Sequence, residues 1–499
     1  MGKNLVKELS SQDREYIRVV HSNTQMSWDS RMNLLKNKFD RSERTIRKWI
    51  KKLGFAQNKS NSKILSNSQP IKYKSKYIII TSAQNATPVH KEFWENILSY
   101  ADYHKADVGV IPFLYGSNKE DNWWDESIKD YLDDTRQEIH KYLSIVGDLR
   151  ILPTASDPLN NIEGITGGKS TIIAHPRVHS VSLPVLEGHH KKNMMTTGTC
   201  TLRNYTNSKA GKIAEFHHTF SFIFIELKDN EVFYARQVTA NDDGSFIDLF
   251  FEVNNKKVSK ISNVSAAILG DIHTDCLEED IMSETMRYLK IISPEKIILH
   301  DLINGTPVNH HEFNDPILQY QKYKNGSNLI KNEINGLDTF IKKYKLLNYD
   351  TYVVKSNHEA FYERYIAEQS WKKDIPNALE YMEFTHALLS GKAPNGILAY
   401  ILSNLFGEKI KCLTLDDSLV VMDWELAQHG HLGANGSKGG IEQNRKLNTK
   451  IITGHIHSPY RKDGSIGVGT FTKIRQSYMH GPSSHNWAFA LVHCDGKSQ

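Results

Sequence analysis

Cysteine is scarce in this chain, and long apolar runs are missing altogether. The four cysteines among 499 residues, Cys200, Cys276, Cys412 and Cys494, are too scattered for a zinc ribbon or a disulfide frame. A reducing cytoplasm is the natural setting. No apolar run approaches the roughly 20 residues of a membrane span, so no membrane partner is expected. The opening MGKNLVKELSSQDREYI lacks the apolar segment of a secretory signal, and its sixth residue is neither Ser nor Thr, which argues against myristoylation. No repeat recurs at a solenoid period. At this length, two or three domains are expected.

Acidic residues are scarce at one end. Residues 1–76 hold 18 Lys and Arg against 6 Asp and Glu, a surplus of +12 in a chain whose total is +5, leaving −7 for the rest. A polyanion is the obvious partner for that end. Three short helices are expected there, Ser11 to Val20, Trp28 to Phe39, and a third in FDRSERTIRKWIKKLGF. In the third, Ser42 is placed to cap the amino end, and Ile46, Trp49, Ile50 and Leu53 share one face. Arg44, Arg47, Lys48, Lys51 and Lys52 remain for the outside, with Gly54 as the stop. This resembles the recognition half of a helix-turn-helix, whose basic helix enters the DNA major groove. The other reading is a small basic bundle that packs on its own protein. Residues 56–75 carry no acid and are rich in Ser, Asn and Lys, the composition of a flexible linker whose lysines can still meet phosphate.

Residues 76–260 read as an α/β domain of unassigned role. KYIIIT and DVGVIPF are expected as buried strands around a helix from Val89 to His104, with FSFIFIEL and GSFIDLFFEV as later strands. GITGGKS is reminiscent of a phosphate loop, but Glu163 stands where that pattern needs glycine. His175, His179, His189, His190, His217 and His218 lack the regular spacing and acidic company of a metal site.

From residue 261 onward a pattern emerges. ILGDIHTD ends an apolar run in Asp271 and His273, which strand alternation points to one side. KIILHD ends in Asp301. DTYVVKSNHE runs into Asn357, His358 and Glu359. DSLVVMDWELAQHGH ends in His429 and His431, and TKIITGHIHSP in His455 and His457. Strand ends of a layered α/β fold converge on one edge, so these side chains can share a crevice. Hard oxygen and nitrogen donors gathered in this way suit a pair of divalent cations.

The ordered set resembles the calcineurin-like metallophosphoesterase family over about residues 262–495. Asp271 and His273 match its Asp-x-His motif, His300-Asp301 its Gly-Asp, Ser356-Asn357-His358-Glu359 its Gly-Asn-His-Glu, and Gly454-His455-Ile456-His457 its Gly-His-x-His. The resemblance implies a four-layer α/β fold, two facing β-sheets flanked by helices, over residues 261–499. It places one metal on Asp271, His273 and His457 and a second on Asn357, His429 and His455, with Asp301 bridging. It makes His358 the acid that protonates the leaving oxygen. His300 and Ser356 depart from the family glycines, which leaves the backbone there less free. The second Asp and the Arg of the Ser/Thr phosphatase branch are missing, with Asn304 left to orient His358 in place of a carboxylate. His310 and His311 could line the substrate cleft or be plain loop histidines; Arg364 and Lys372 are weaker candidates.

The metal centre leaves the substrate open, and the basic module decides the expectation: a DNA nuclease of the nuclease-type branch, similar to phage-encoded DNases, acting in the (host) cytoplasm by attack of a metal-bridging hydroxide. Mn²⁺ is the expected cofactor, with Fe, Ni or Zn also permitted. The alternatives are a small-molecule or cyclic-nucleotide phosphodiesterase whose basic module docks a partner, and a DNA-binding regulator with an idle site. The oligomeric state, a homo-oligomer included, stays open.

Overall fold

A computed structural model describes residues 9–22, 28–53, 70–116, 123–261, 264–368, 370–476 and 480–499. The chain divides into two compact units, residues 1–66 and 67–499.

The first unit contains the three expected helices, Ser11–Ser22, Trp28–Phe39 and Glu43–Lys52. Ser42 caps the third, its hydroxyl accepting the Thr45 amide. Ile46, Trp49 and Ile50 are buried against Ile17, Met32 and Leu35 in one small core. Arg44, Arg47 and Lys48 face outward as expected, with Arg47 paired to Glu43 at 2.6 Å. Gly54 and the side chains of Lys51 and Lys52 lie outside the described residues, as does most of the expected linker. Its last residues are tied down rather than loose: the amides of Ile71 and Ser75 donate to Asp133 and Asp107 at 2.8 and 2.7 Å.

In the second unit, a five-stranded sheet has the order Ile410–Leu413, Asp350–Val354, Pro294–His300, Val264–Asp271, Phe489–Val492. Its first four strands are parallel and the last is antiparallel. Alternation along each strand splits its side chains between two cores. Ala267, Leu269, Ile297, Leu299 and Val353 pack with Met282 and Leu289 of helix Glu279–Ile292 and with Leu337 and Phe340 of helix Ile330–Lys343. Ala266, Ile268, Ile298 and Val354 pack on the other side with Trp424, Ile452 and Ile466, which belong to a ten-stranded sheet. The result is a mixed α/β architecture in which two sheets face each other across an apolar layer.

The expected boundary at residue 260 does not divide this unit. Strand Tyr460–Lys462 pairs antiparallel with Ser180–Leu183, so the ten-stranded sheet draws on both sides of that boundary. Polar ties reinforce the join. Arg177 donates to Asp463 at 2.8 Å, and fully buried Asp248 accepts from Arg236, Tyr100 and Gln499, each at 2.7 Å. A sheet that recruits strands from distant segments leaves no composition break, so nothing in the sequence marks this join.

Two strand expectations change, and the phosphate-loop likeness that Glu163 argued against finds another use. GSFIDLFFEV forms two short strands, Phe246–Asp248 and Phe251–Asn254, because Leu249 turns through φ 53°. DSLVVMDWEL likewise folds back at Met422 and Asp423, both with positive φ. In GITGGKS the loop turns carbonyls, not amides, inward. Glu163 and Gly167 oxygens and the Thr166 hydroxyl all hold the Lys192 ammonium, so the loop is already filled by a cation. Among the described residues no helix is long and apolar enough to cross a membrane.

A fragment of residues 261–499 is therefore expected not to fold, having lost the partner of strand Tyr460–Lys462 and the Asp248 network. Circular dichroism and limited proteolysis check this; a cooperative, protease-resistant fragment would contradict the single unit.

Candidate metal centre

The site forms where parallel strands run out. Strands Val264–Asp271 and Pro294–His300 deliver Asp271 and, one residue on, Asp301; Asp350–Val354 leads to Asn357, and Lys450–Thr453 leads to His455 and His457. Strand ends leave the ladder, so the next residues can adopt backbone that a strand forbids. His273, Asp301 and His455 all have positive φ, 43°, 48° and 66°. Non-glycine residues enter that region at a cost of order 1–3 kcal/mol each, and such strain collects at functional sites.

Close packing of backbone lets the donors converge. A Cβ on Gly454 would lie 2.5 Å from Asp271 Oδ1 and 2.8 Å from His300 Cγ, and one on Gly270 would lie 2.2 Å from the Gly469 carbonyl oxygen. Asp271 Oδ1 accepts the amide of His455 at 3.0 Å, which fixes the Gly-His-x-His turn against the first strand.

Among the described residues, three overlapping groups of side chains bring their ligand atoms together: Asp271, His273 and His457; Asp271, Asp301 and His429; and His273, Asp301 and His358. His457 Nε2 stands 3.0 Å from Asp271 Oδ2. Asp301 Oδ2 faces His273 Nε2 at 3.4 Å and His429 Nε2 at 3.7 Å. Ligands about 2.1 Å from a metal in octahedral or tetrahedral geometry are roughly 3.0–3.4 Å from one another, so the first two spacings fit donors arranged around a cation and the third is slightly wider. Asp301 Oδ1, Asn357 Oδ1 and His429 Nε2 are buried without a hydrogen-bond partner, which a cation would remedy. The His455 ring lies 5.3 Å from that of His429. The donor set, oxygen and imidazole with no thiolate, fits divalent Mn, Fe, Ni or Zn.

Electrostatics agree with a cation site. Burial raises the pKa of Asp301 well above the usual carboxylate range, and the neighbouring Asp271 charge adds to it. Burial pushes Asp271 the same way, but His429, His457 and His273 outweigh it and hold its pKa low. Two buried carboxylates side by side thus cannot both ionise without added positive charge. Burial, reinforced by neighbouring imidazoles, lowers His273 and His429 well below their ordinary value and lowers His455. Neutral imidazole is the form that binds metal.

Other residues take roles the sequence did not disclose. His300 is a buried ring whose Nδ1 is 3.4 Å from His429 Nδ1, leaving His429 Nε2 to face Asp301. His431 and His485, each pushed down to about 4 by burial, lie beside His455 and His457. His431 stood in plain view in the HGH stretch, whereas His485 had no local signal. Asn304 corrects an expectation. Its side chain donates to Asp275 and Thr306, and it is the backbone carbonyl that accepts His358 Nδ1–H at 2.8 Å. His310, His311 and Arg364 do come together: Arg364 Nη1 is 2.9 Å from His310 Nε2, and Phe361 contacts both histidines and His358. Lys372 falls in a short 3₁₀ turn, Ser370–Lys373, beyond the helix that carries Arg364.

The chain is similar to Protein A1 of Escherichia phage T5, with 27% identity over 460 residues, 85% of this chain and 81% of that protein. No family description and no solved structure matches it.

Two outcomes follow from the geometry. Gly454→Ala forces a methyl group onto Asp271 and His300, so it should cost about 1–3 kcal/mol and weaken cation binding. Thermal melts with and without Mn²⁺ check this, and an unchanged metal-induced shift would contradict it. Burial also raises Glu333 to about 7 and Glu359 to about 8, above their ordinary 4.5. The folded chain then holds protons that the unfolded chain releases, so stability should fall as pH rises from about 4.5 to 8. Glu333→Gln should flatten that slope in chemical denaturation of the metal-free protein; an identical slope would refute the assignment.

Proposed function

We propose that this chain is a two-metal phosphodiesterase and that its substrate is DNA. The observation carrying the reaction class is the Asp271–Asp301 pair, ringed by His273, His429 and His457 at ligand spacing. Two divalent cations held there would supply Lewis acidity toward a phosphoryl group and hydroxide near neutral pH. Asp271, His273 and His457 would hold one, and Asn357, His429 and His455 the other, with Asp301 between.

The chain's own residues supply the rest. His358 donates Nδ1–H to the Asn304 carbonyl, which turns Nε2 toward the cluster, 3.7 Å from Asp301 Oδ2. A proton on Nε2 is then placed for a leaving alkoxide, the oxygen that most needs it. His310, His311 and Arg364 gather about Phe361, whose ring also meets that of His358, and the Arg364 guanidinium suits the phosphates flanking the scissile bond. The basic first unit, with Arg44, Arg47 and Lys48 exposed, suits a long polyanion better than a small ester. Similarity to a phage protein is in keeping with a phage-type nuclease.

Incubating closed circular and linear DNA with Mn²⁺ and the purified chain tests this. Cleavage is expected, with Asp301→Ala and His358→Ala each reducing it by about 10²–10⁴-fold while DNA binding persists. No loss of either DNA, or full activity in His358→Ala, would overturn it. Removing residues 1–66 should raise KM for DNA far more than for a chromogenic phosphodiester. Equal effects would instead favour a small-substrate enzyme.

A further inference from the structure

The helical segment between Asp301 and strand Asp350–Val354 contains a buried carboxylate that the mechanism above does not use. Glu333, on helix Ile330–Lys343, is 8% exposed. Its Oε1 accepts the amides of Gly305 and Thr306 at 3.0 and 3.3 Å, and its Oε2 accepts the Tyr362 hydroxyl. The Gly305 amide belongs to the same peptide group as the Asn304 carbonyl, the acceptor of His358 Nδ1–H. Glu333 and His358 therefore grip opposite ends of a single peptide plane.

We propose that Glu333 is the positioning residue for His358, acting through the Asn304–Gly305 peptide. A trans peptide holds its N–H and C=O antiparallel, so an acceptor on the hydrogen polarises the oxygen toward the imidazole, and hydrogen bonds in such chains strengthen one another. The relay does, across one peptide, what a carboxylate in contact with the ring would do directly: it sets the tautomer and steadies the imidazolium. The local backbone is built for it. Gly305 has φ 67°, and a Cβ there would lie 2.9 Å from Phe361 Cδ2 and 3.3 Å from the His358 carbonyl oxygen. Tyr362 then fastens the other carboxylate oxygen to the helix that follows His358. Lys322 secures the same loop from a third side by donating to the Thr306 carbonyl at 2.7 Å.

This inference rests on the phosphodiesterase reading for its catalytic consequence, and leaving-group dependence tests it. DNA expels a poor alkoxide that needs a proton, whereas bis(p-nitrophenyl) phosphate expels a good leaving group that does not. In the full chain with Mn²⁺, Glu333→Ala should lower kcat on DNA roughly tenfold or more, part of the 10²–10⁴-fold that general acids supply. It should leave KM and the chromogenic rate nearly unchanged. Glu333→Gln, which keeps the acceptor for both amides, should recover much of the loss. Equal loss on both substrates, or no loss on DNA, overturns the role.

A second readout stands apart from turnover. In chain labelled with ¹⁵N-histidine and loaded with Mg²⁺, the His358 Nδ1 proton should be slow to exchange, and Glu333→Ala should abolish its signal. A signal that survives Glu333→Ala overturns the proposal. A wild-type chain that cleaves neither substrate contradicts the phosphodiesterase reading, and the Nδ1 proton alone then decides the role of Glu333.

Discussion

Two carboxylates buried beside each other, Asp271 and Asp301, at 0% and 2% exposure, are the constraint around which the second unit is organised. Among the described residues their ion-pair neighbours are imidazoles, not ammonium or guanidinium groups, and burial holds those of His273 and His429 toward the neutral form. Burying uncompensated acids is costly, and a protein retains such an arrangement when a cation repays it. The positive φ at His273, Asp301 and His455 and the tight seat of Gly454 are further costs at the same place. The apolar layers on both faces of the five-stranded sheet hold the strand ends rigid enough to sustain them.

From that constraint the surrounding architecture becomes intelligible. The two facing sheets bring donors from five separated segments to one edge, and the ten-stranded sheet needs strands from residues 136–196 to be complete. The middle region is thus part of the scaffold that holds the edge where these donors gather. The helical segment after Asp301 is also more than a spacer. It places Glu333 under the loop that orients His358, and Lys322 against the same loop. Each fixes the loop that accepts the His358 proton from outside the donor set.

Much of the site was legible in sequence, because each donor follows its own apolar strand and the strand-end rule brings them together. Asp271, His273, Asp301, His429 and His457 meet as that pattern implies. The basic helix was legible for a similar reason, since Ile46, Trp49 and Ile50 recur at helical spacing and are buried. Less accessible were interactions made by backbone, which sequence does not display. Asn304 acts through its carbonyl, not its amide side chain, and Glu333 acts on peptide hydrogens. The domain boundary was misplaced because pairing between Ser180–Leu183 and Tyr460–Lys462 joins segments nearly 300 residues apart. Turns at Leu249 and Met422 were hidden too, since both adopt positive φ where a sequence would ordinarily signal it with Gly, Asn or Asp.

The most direct measurement of the central claim is calorimetric titration of the metal-free chain with Mn²⁺ in buffers of different ionisation enthalpy. The account predicts two ions per chain, with a heat that varies with buffer because a proton leaves Asp301 as the cations enter. Absence of saturable binding, or binding that persists unchanged in Asp301→Ala, would contradict it.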